Sequence, residues 1–452
     1  MKAFSARTTF VNSVFAFALL FQNTIWAQPE NVAFENQALQ QIQAAVDWND
    51  SRYLGKLLKQ YLGKKVTLDE LRQIAKGHNS EVLQRAIEAT TGFYGTHKEM
   101  LGIKRAAFLQ MALFIENSLH EFVKKNQYYL PAEQTGLEYP LEYDSQTRRT
   151  FIILPQNKQT YIGAGKNKVV LKAIFYNEKK SEVVARAVQT KVREIEMKTT
   201  SELRGTTGIM DVLACTTFKK GNEVFRTIYT KLYFPGSLSR AFSLRFRFTY
   251  YEKMKIALNI LKGLSELHKR NITHRDISPQ NCLIHIPLGK AGRREIVAVI
   301  ADLGRADSIW KNYPLKSRVQ GHSCYTPPEG IVKGRVKGVD FLKSDVYAIG
   351  CIFYQLFYEK AAPWLSNKYV INTSKSEFSR YRVLSTKIYR YTNSRKRVLA
   401  RKAMRGKIST REAFEQLILR MVDPDAEKRG FATGLYTELQ SIYEAHSNTN
   451  RK

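Results

Sequence analysis

Hydrophobic residues recur every three or four positions from residue 35 to residue 130, which is the spacing of amphipathic helices. The sequence Thr67-Leu68-Asp69-Glu70 has the pattern of a capping box, and Met100 to Lys125 forms a longer periodic stretch. We predict a small all-α bundle of about four or five helices in residues 28–130. No group of chemically reactive side chains accompanies it, so the sequence does not indicate its role. The stretch 131–145 that follows is predicted to be a linker.

The first residues of the chain have the pattern of an export signal. Lys2 and Arg7 give a positive start, Phe10 to Phe21 is mostly apolar, and Ala27 is a small residue suited to cleavage. The apolar run is far shorter than the roughly 20 residues that span a bilayer. We therefore predict a cleavable signal peptide over residues 1–27 and an exported or secreted protein. A buried amphipathic helix is the alternative.

After residue 145 the pattern changes to short apolar runs with the spacing of strands. Phe151 to Leu154 and Val169 to Phe175 flank the loop Ile162-Gly163-Ala164-Gly165-Lys166-Asn167-Lys168. Glycines let the backbone N–H groups of such a loop approach a phosphate, so Gly163 and Gly165 are candidates for nucleotide binding. An ordinary β-hairpin is the alternative.

A stretch in the second half of the chain has residues suited to phosphoryl transfer. Asp276 stands five residues before Asn281, so a carboxylate that can accept a hydroxyl proton lies near an amide that can hold a metal ion. Asp302-Leu303-Gly304 follows an apolar strand, and a carboxylate there suits Mg²⁺, which prefers oxygen ligands. Pro327-Pro328-Glu329 and the apolar stretch Ser344 to Gly350 come next along the chain.

In this order and spacing, these motifs resemble the eukaryotic-type protein kinase family over about residues 140–445. The resemblance implies an α+β, bilobal protein kinase fold in residues 146–446, preceded by the small all-α helical domain. It implies ATP and Mg²⁺ as ligands, with Asp276 as the catalytic base and with Asn281 and Asp302 as metal ligands. Arg275, beside the base, would pair with a phosphate on the activation segment.

The resemblance also implies two supporting roles in the larger lobe. Glu329 and Arg429 are expected to form a buried ion pair below the activation segment. Asp345 is expected to anchor the backbone of the catalytic loop from a buried helix.

The smaller lobe departs from the family at its phosphate-binding lysine. Arg186, in a strand predicted from Glu182 to Val188, stands where the family has that lysine, and an arginine fork is less suited to a point contact with two phosphates. Lys168 stands at the third loop glycine, where the with-no-lysine kinases carry their phosphate lysine. We predict that Lys168 supplies this cation, with a plain surface lysine as the alternative. Glu196 is its expected acidic partner, and Glu194 is the second choice.

The resemblance places the adenine site on the strand that ends near residue 233. Thr230 would be the gatekeeper, and backbone groups of Lys231 and Tyr233 would hydrogen-bond the adenine edge. Ser278 and His322 stand where serine/threonine kinases carry a lysine and a threonine. Because of these two departures, the sequence does not clearly indicate whether Ser/Thr or Tyr is the acceptor.

The predicted function is an exported bacterial protein kinase that transfers the γ-phosphate of Mg-ATP to Ser or Thr hydroxyls of a protein substrate. The survival of Asp276, Asn281 and Asp302 favours this interpretation. The alternative is a nucleotide-binding pseudokinase that acts as an interaction scaffold. A kinase for a small molecule or a lipid is a third interpretation.

Charge adds a prediction about partners. The chain has 72 basic and 40 acidic residues, a net charge of +32, which favours polyanions such as anionic membranes or acidic proteins. Basic residues crowd between Lys387 and Lys407, which predicts either a docking surface for acidic groups or a solvated helix pair. The segment lacks the interleaved aromatic, Arg and Gly residues of RNA-binding proteins, so we do not predict sequence-specific nucleic-acid binding.

The cysteines add a prediction about the compartment. All four lack paired spacing, which argues against a disulfide framework or a zinc site. Together with the export signal, this suggests a protein that works in a host cytosol.

Overall fold

The computed structural model describes residues 29–47, 51–125, 128–165, 168–177, 181–189, 199–220, 223–286, 295–309, 323–332, 340–365 and 376–449. The predicted signal peptide, Glu194, Glu196 and His322 lie outside the described residues. The chain divides into two compact units: Met1–Val188 with Thr216–Val224, and Gln189–Cys215 with Phe225–Lys452. This division falls within β-strands and not at the predicted linker.

The first unit begins with helices whose positions follow the periodic pattern of the sequence. They are α1 (Pro29–Asp47), α2 (Ser51–Tyr61), α3 (Leu68–Gly77), α4 (Glu81–Leu101), α5 (Arg105–Asn117), α6 (Leu119–Lys124) and α7 (Ala132–Thr135). The predicted capping box is confirmed at the start of α3, where the Thr67 hydroxyl accepts from the Glu70 N–H and the Glu70 carboxylate accepts from the Thr67 N–H. Helix α4 ends at Gly102, whose φ of 66° is a left-handed conformation that favours glycine.

The strands of the first unit form an antiparallel arrangement that begins before the predicted kinase-like domain. They are β1 (Tyr129–Leu130), β2 (Leu141–Asp144), β3 (Arg149–Ile153), β4 (Tyr161–Gly165), β5 (Lys168–Tyr176) and β6 (Ser181–Gln189). Their order is β1-β2-β3-β5-β6, and β4 pairs with the first half of β5. Residues 131–145, predicted as a linker, contain α7 and β2, so the structure differs from the prediction there.

One hydrophobic core joins these helices and strands. Leu58 and Phe108 on the helices and Leu141, Ile152 and Ile174 on the strands are fully buried members of that core. Leu130 pairs with Leu141 in the register of β1 and β2, which buries the chain on both sides of the predicted linker. Alternate residues of the strands therefore face the helices, so the helical region packs on the sheet within one compact unit.

The second unit is built around two helices, α9 and α10. Its helices are α8 (Leu238–Ser243), α9 (Tyr250–Lys269), α10 (Asp340–Tyr358), α11 (Glu377–Met404), α12 (Thr410–Met421) and α13 (Ala432–Thr449). Short strands lie among them: β9 (Pro235–Ser237), β10 (Ile272–Thr273), β11 (Cys282–His285), β12 (Val297–Ile300) and β13 (Asp307–Ser308). Strands β7 (Val212–Lys220) and β8 (Glu223–Lys231) contain the division between the units.

A close backbone contact ties α9 to the chain that leads into the candidate site. A Cβ atom on Gly263 of α9 would lie 2.1 Å from the Gly208 carbonyl oxygen, so only glycine fits there. The same Gly208 carbonyl accepts from the Ile300 N–H at 2.8 Å, and the Met210 N–H donates to the Ile300 carbonyl at 2.8 Å. The end of β12 is thereby fixed two residues before Asp302.

The predicted ion pair between Glu329 and Arg429 is present and buried. The Arg429 guanidinium contacts the two carboxylate oxygens of Glu329 at 2.6 and 2.9 Å and is fully buried. It also donates to the Asp423 carbonyl at 2.7 Å and lies over the Tyr347 ring. The pair joins segments that are 100 residues apart in the chain.

We expect Glu329→Ala to lower the free energy of unfolding by about 3–5 kcal/mol, because it leaves the Arg429 charge buried without its carboxylate. Denaturant unfolding of the full chain measures this change. The matched control is Lys428→Ala, which removes an exposed ion pair with Asp425 and should cost at most about 1 kcal/mol. Equal effects of the two changes would contradict a structural role for the buried pair.

Candidate active site

The loop between β10 and β11 is held by one buried carboxylate. Asp345 on α10 accepts hydrogen bonds from the backbone N–H of His274 at 2.7 Å and of Arg275 at 2.9 Å. It also accepts from the Thr273 hydroxyl at 2.8 Å. Burial alone would raise the pKa of Asp345, but hydrogen bonds from His268 and from the His274 backbone lower that pKa below its ordinary value. The predicted anchoring of this loop by Asp345 is confirmed.

His274 connects the same loop to the end of β12. Its Nε2 lies 3.0 Å from the Ala301 carbonyl, and its Nδ1 lies 3.3 Å from the Asp276 backbone N–H. A ring that donates from Nε2 and accepts at Nδ1 is a neutral imidazole. The fully buried His274 therefore orients the backbone of Asp276 relative to the residue before Asp302.

Asn281 and Asp302 lie at the same end of one antiparallel strand pair. Cys282 is opposite Ile300 in the register of β11 and β12, so Asn281 just precedes the pair and Asp302 just follows it. The Asn281 carbonyl accepts from the Ala301 N–H at 2.8 Å. The Asn281 side-chain NH₂ donates to the Asp276 carbonyl at 2.8 Å, which directs the amide oxygen away from that contact.

This donor set fits a hard divalent cation. Asp302 has a left-handed φ of 66°, and one of its oxygens caps the short turn Leu303–Arg305 by accepting from the Gly304 N–H at 3.4 Å. A carboxylate and an amide oxygen are ligands that Mg²⁺ takes together with phosphate oxygens. Among the described residues, no group of three or more His, Cys, Asp or Glu side chains is placed to hold a metal ion. Mg²⁺ is usually bound by one or two carboxylates together with waters and substrate phosphates.

One arginine on the catalytic loop between β10 and β11 and another beside it have different surroundings. Arg275 is buried with a φ of 65°, its guanidinium lies 3.7 Å from Asp307, and it packs over the Phe341 ring. Its predicted pairing with a phosphate on the activation segment stays a prediction, and residues 310–322 of that segment lie outside the described residues. Arg305, which the sequence reasoning did not single out, lies 3.4 Å from the Asp276 carboxylate. The residue type gives no sequence signal, because Arg305 is one of 72 basic residues. Its position directly after Asp302-Leu303-Gly304 is a signal that could have identified it.

In the first unit, Gly163 and Gly165 lie on β4 beside the start of β5. A Cβ atom added to either glycine would meet no atom of the described residues within 4 Å, so packing among those residues does not require these glycines. A loop that approaches a phosphate with its backbone would require them. Lys168 is half-buried and opposite Gly165 in the strand register. Because Glu196 lies outside the described residues, the pairing of Lys168 with Glu196 stays a prediction.

Arg186 forms a buried ion pair with a carboxylate that the sequence reasoning missed. Its guanidinium lies 2.5 Å from Glu142 on β2, and the side chains are 8% and 1% exposed. The second oxygen of Glu142 accepts from the Thr216 hydroxyl at 2.7 Å, and Arg186 also lies over the Phe218 ring. Glu142 was overlooked because it falls in the predicted linker, 44 residues before Arg186.

The candidate adenine residues belong to the second unit. Thr230 is buried, and its hydroxyl donates to the Lys231 carbonyl at 3.2 Å. The Lys231 ammonium pairs with Asp211 at 3.0 Å, and the Tyr233 hydroxyl accepts from the Asp211 N–H at 3.3 Å. Burial raises the pKa of Tyr233, although the hydrogen bond from the Asp211 backbone N–H acts to lower that pKa. The backbone contacts of Lys231 and Tyr233 with adenine stay a prediction.

The comparisons with known proteins agree with this arrangement. A family model for the protein kinase domain matches residues 157–438. The probable serine/threonine-protein kinase gdt2 of Dictyostelium discoideum is 31% identical over 117 residues, 26% of this chain and 7% of that protein. The putative serine/threonine-protein kinase R436 of Acanthamoeba polyphaga mimivirus is 25% identical over 123 residues, 27% of this chain and 40% of that protein. The human serine/threonine-protein kinase ULK1 is 35% identical over 96 residues, 21% of this chain and 9% of that protein.

The matched segment therefore spans less than half the length of each of these relatives. The predicted fold class is confirmed: a kinase domain of mixed helix and sheet follows an all-helical region. The similarity of Lys168 to the with-no-lysine arrangement stays a prediction. Because the family model covers more than half of its residues, the chain belongs to the protein kinase domain family.

Proposed function

We propose that the chain is a protein kinase that transfers the γ-phosphate of Mg-ATP to Ser or Thr hydroxyls of a protein substrate. The observation that carries the proposal is the loop from His274 to Asn281, which Asp345 and the end of β12 hold in one place. On that loop Asp276 presents a half-buried carboxylate that would orient the substrate hydroxyl and accept its proton. Asp302 and Asn281 would hold Mg²⁺, whose charge would offset that of the phosphate oxygens.

The names of the relatives support Ser and Thr over Tyr as acceptors, because all three are described as serine/threonine kinases. The competing proposal is a pseudokinase that binds nucleotide and acts as a scaffold. Arg186 favours it, because this residue replaces the strand lysine of the family and is tied to Glu142. Enzymatic turnover separates the two proposals.

We expect Asp276→Asn to lower kcat by about 10²–10⁴-fold, because it removes the carboxylate that accepts the hydroxyl proton. Asp302→Ala should also remove transfer and should weaken binding of Mg-ATP. Transfer from labelled ATP to a generic protein measures the first change, and calorimetric titration measures the second. Asp69→Asn, on a side chain that is 83% exposed in the first unit, is the control. Equal turnover by the wild type and Asp276→Asn would leave the pseudokinase as the proposal.

We expect Lys168→Met to abolish transfer while Arg186→Met, once folded, retains more activity. The reason is that Lys168 is half-buried at the end of the glycine loop, whereas Arg186 is committed to the buried pair with Glu142. Arg186→Met leaves Glu142 unpaired, so Arg186→Met with Glu142→Gln is the matched variant that avoids a buried lone charge. Melting curves establish folding, and ATP titrations give kcat and KM. If the double variant Arg186→Met with Glu142→Gln loses more activity than Lys168→Met does, Arg186 is the phosphate cation.

We also propose that the exposed face of α11 binds an anionic membrane surface. Not every basic residue of this helix is available, because Arg395 pairs with Glu415, Lys396 with Asp423 and Lys402 with Glu412. Other arginines are exposed and have no acidic partner among the described residues. These are Arg382, Arg390, Arg397, Arg401 and Arg405.

Exposed Tyr389, Tyr391 and Met404 lie on the same helix, 53%, 57% and 86% exposed. Arginines together with exposed aromatic and apolar side chains suit the interface between lipid headgroups and acyl chains. None of the described helices has the length and apolar character needed to cross a bilayer. The proposed contact therefore lies along the membrane surface.

Changing Arg390, Arg397 and Arg401 to Gln is expected to weaken binding to phosphatidylserine vesicles by about 3 kcal/mol at low salt, because each basic residue near the surface contributes about 1 kcal/mol. Vesicle sedimentation at several salt concentrations measures the loss. The control removes the same charge elsewhere, by changing exposed Lys56, Lys64 and Lys76 to Gln. Equal losses in the two triple variants would show that net charge, and not this face, governs binding.

Export and action in a host cytosol also remain proposals. Cys282 and Cys351 are buried thiols, and burial raises the pKa of each to about 12, so they stay protonated and unreactive. Thiols of this kind are compatible with a reducing compartment. Sequencing the N-terminus of the mature protein would show whether cleavage follows Ala27.

A further inference from the structure

Arg305 contributes a cation beside the carboxylate of Asp276. Its Nε lies 3.4 Å from an Asp276 oxygen, and the two side chains are 48% and 22% exposed. Arg305 is the last residue of the short turn that Asp302 caps. It has no other acidic neighbour within 4 Å among the described residues.

The strand register explains why two residues 29 positions apart in the chain meet. Thr273 is opposite Asp307 in the antiparallel pair of β10 and β13. Asp276 follows Thr273 by three residues, and Arg305 precedes Asp307 by two residues. Both residues therefore lie just beyond the same end of this strand pair. Because the Asp345 carboxylate and the Asp302 cap fix the two backbones, the proximity is built into the fold.

The catalytic loop itself offers no exposed cation. From His274 to Asn281 it contains no lysine, and its one arginine, Arg275, has a side chain only 5% exposed beside Asp307. Ser278, which follows Asp276 by two residues, is small and buried. Among the described residues, Arg305 places a positive charge beside Asp276 from outside the loop.

The ion pair of Arg305 with Asp276 is expected to contribute little to the stability of the fold. An ion pair with a half-exposed arginine contributes little to folding. Nε lies 3.4 Å from an Asp276 oxygen, and Arg305 donates no hydrogen bond within the described part of the chain. The rest of its planar fork is the group that proteins use to bind phosphate oxygens with two parallel hydrogen bonds.

We propose that Arg305 binds the γ-phosphate next to Asp276 and stabilises the phosphoryl group during transfer. The proposal rests on the proposed kinase function. In the transfer, the substrate oxygen forms a bond to phosphorus, and the bond from phosphorus to the ADP oxygen breaks with its electron pair on ADP. The hydroxyl proton passes to the Asp276 carboxylate. A cation at Arg305 offsets negative charge on the transferred oxygens and holds them beside that carboxylate.

Binding measurements test this contact without turnover. We expect Arg305→Ala to weaken binding of a non-hydrolysable ATP analogue about tenfold and to leave ADP binding unchanged, because only the analogue has a γ-phosphate. Arg305→Lys should recover part of the loss, since it keeps the charge but not the fork. The control is Arg270→Ala, which removes an arginine of similar exposure, 42%, that pairs with Glu266 on the surface of the same unit.

Kinetics provide a second readout. Arg305→Ala should lower kcat about 100-fold with a smaller change in the KM for ATP. Equal binding of the analogue by the wild type and Arg305→Ala would overturn the proposal. A gain in activity on Arg305→Ala would overturn it too and would make the ion pair inhibitory. Absence of turnover in the wild type would reject the kinase function, while the binding comparison would still decide the contact of Arg305.

Discussion

The catalytic loop depends on the hydrogen bonds that the Asp345 carboxylate accepts. A carboxylate has enough acceptor sites to take two backbone N–H groups and a hydroxyl at once, and Asp345 does so with His274, Arg275 and Thr273. Because α10 is buried along almost its whole length, this acceptor cannot shift without disturbing the core. The left-handed backbone of Arg275 is held against its own steric preference by these bonds. The direction of Asp276 follows from that constraint.

Two buried arginines fix other parts of the protein by the same principle. Arg429 joins the segment of Glu329 to the chain before α13, and Arg186 joins β6 to β2 through Glu142. Burying such pairs is costly, and apolar residues of similar volume often stabilise a fold equally well. Such pairs fix the relative orientation of the segments they join, because a planar guanidinium donates good hydrogen bonds in only a few arrangements of its partners. In both cases the partner is a carboxylate far away in the chain.

The sequence predicts the catalytic loop well because chemistry leaves little choice of residue there. Asp276, Asn281 and Asp302 could be named because phosphoryl transfer needs these groups in this order, and Asp345 because the resemblance to protein kinases implies its role. Arg305 could be found only from its place directly after Asp302-Leu303-Gly304. Glu142 could not be named, since it is one charged residue among many and its partner is set by strand pairing. The same reason explains the predicted linker. Leu137 and Leu141 are too few to show a pattern, yet both are buried in the core of the first unit, and Leu141 is opposite Ile152 of β3.

The strands ahead of the family match have a consequence for any shortened form of this protein. Residues Thr150 to Ile153 of β3 cover the second half of β5, and β2 in turn covers β3. A fragment confined to residues 157–438 would leave that half of β5 with an open row of N–H and C=O groups, and its apolar face would lose the helices that cover Ile174. Open edges of this kind pair with other chains. The smallest unit that resists self-association is thus larger than the segment that resembles its relatives.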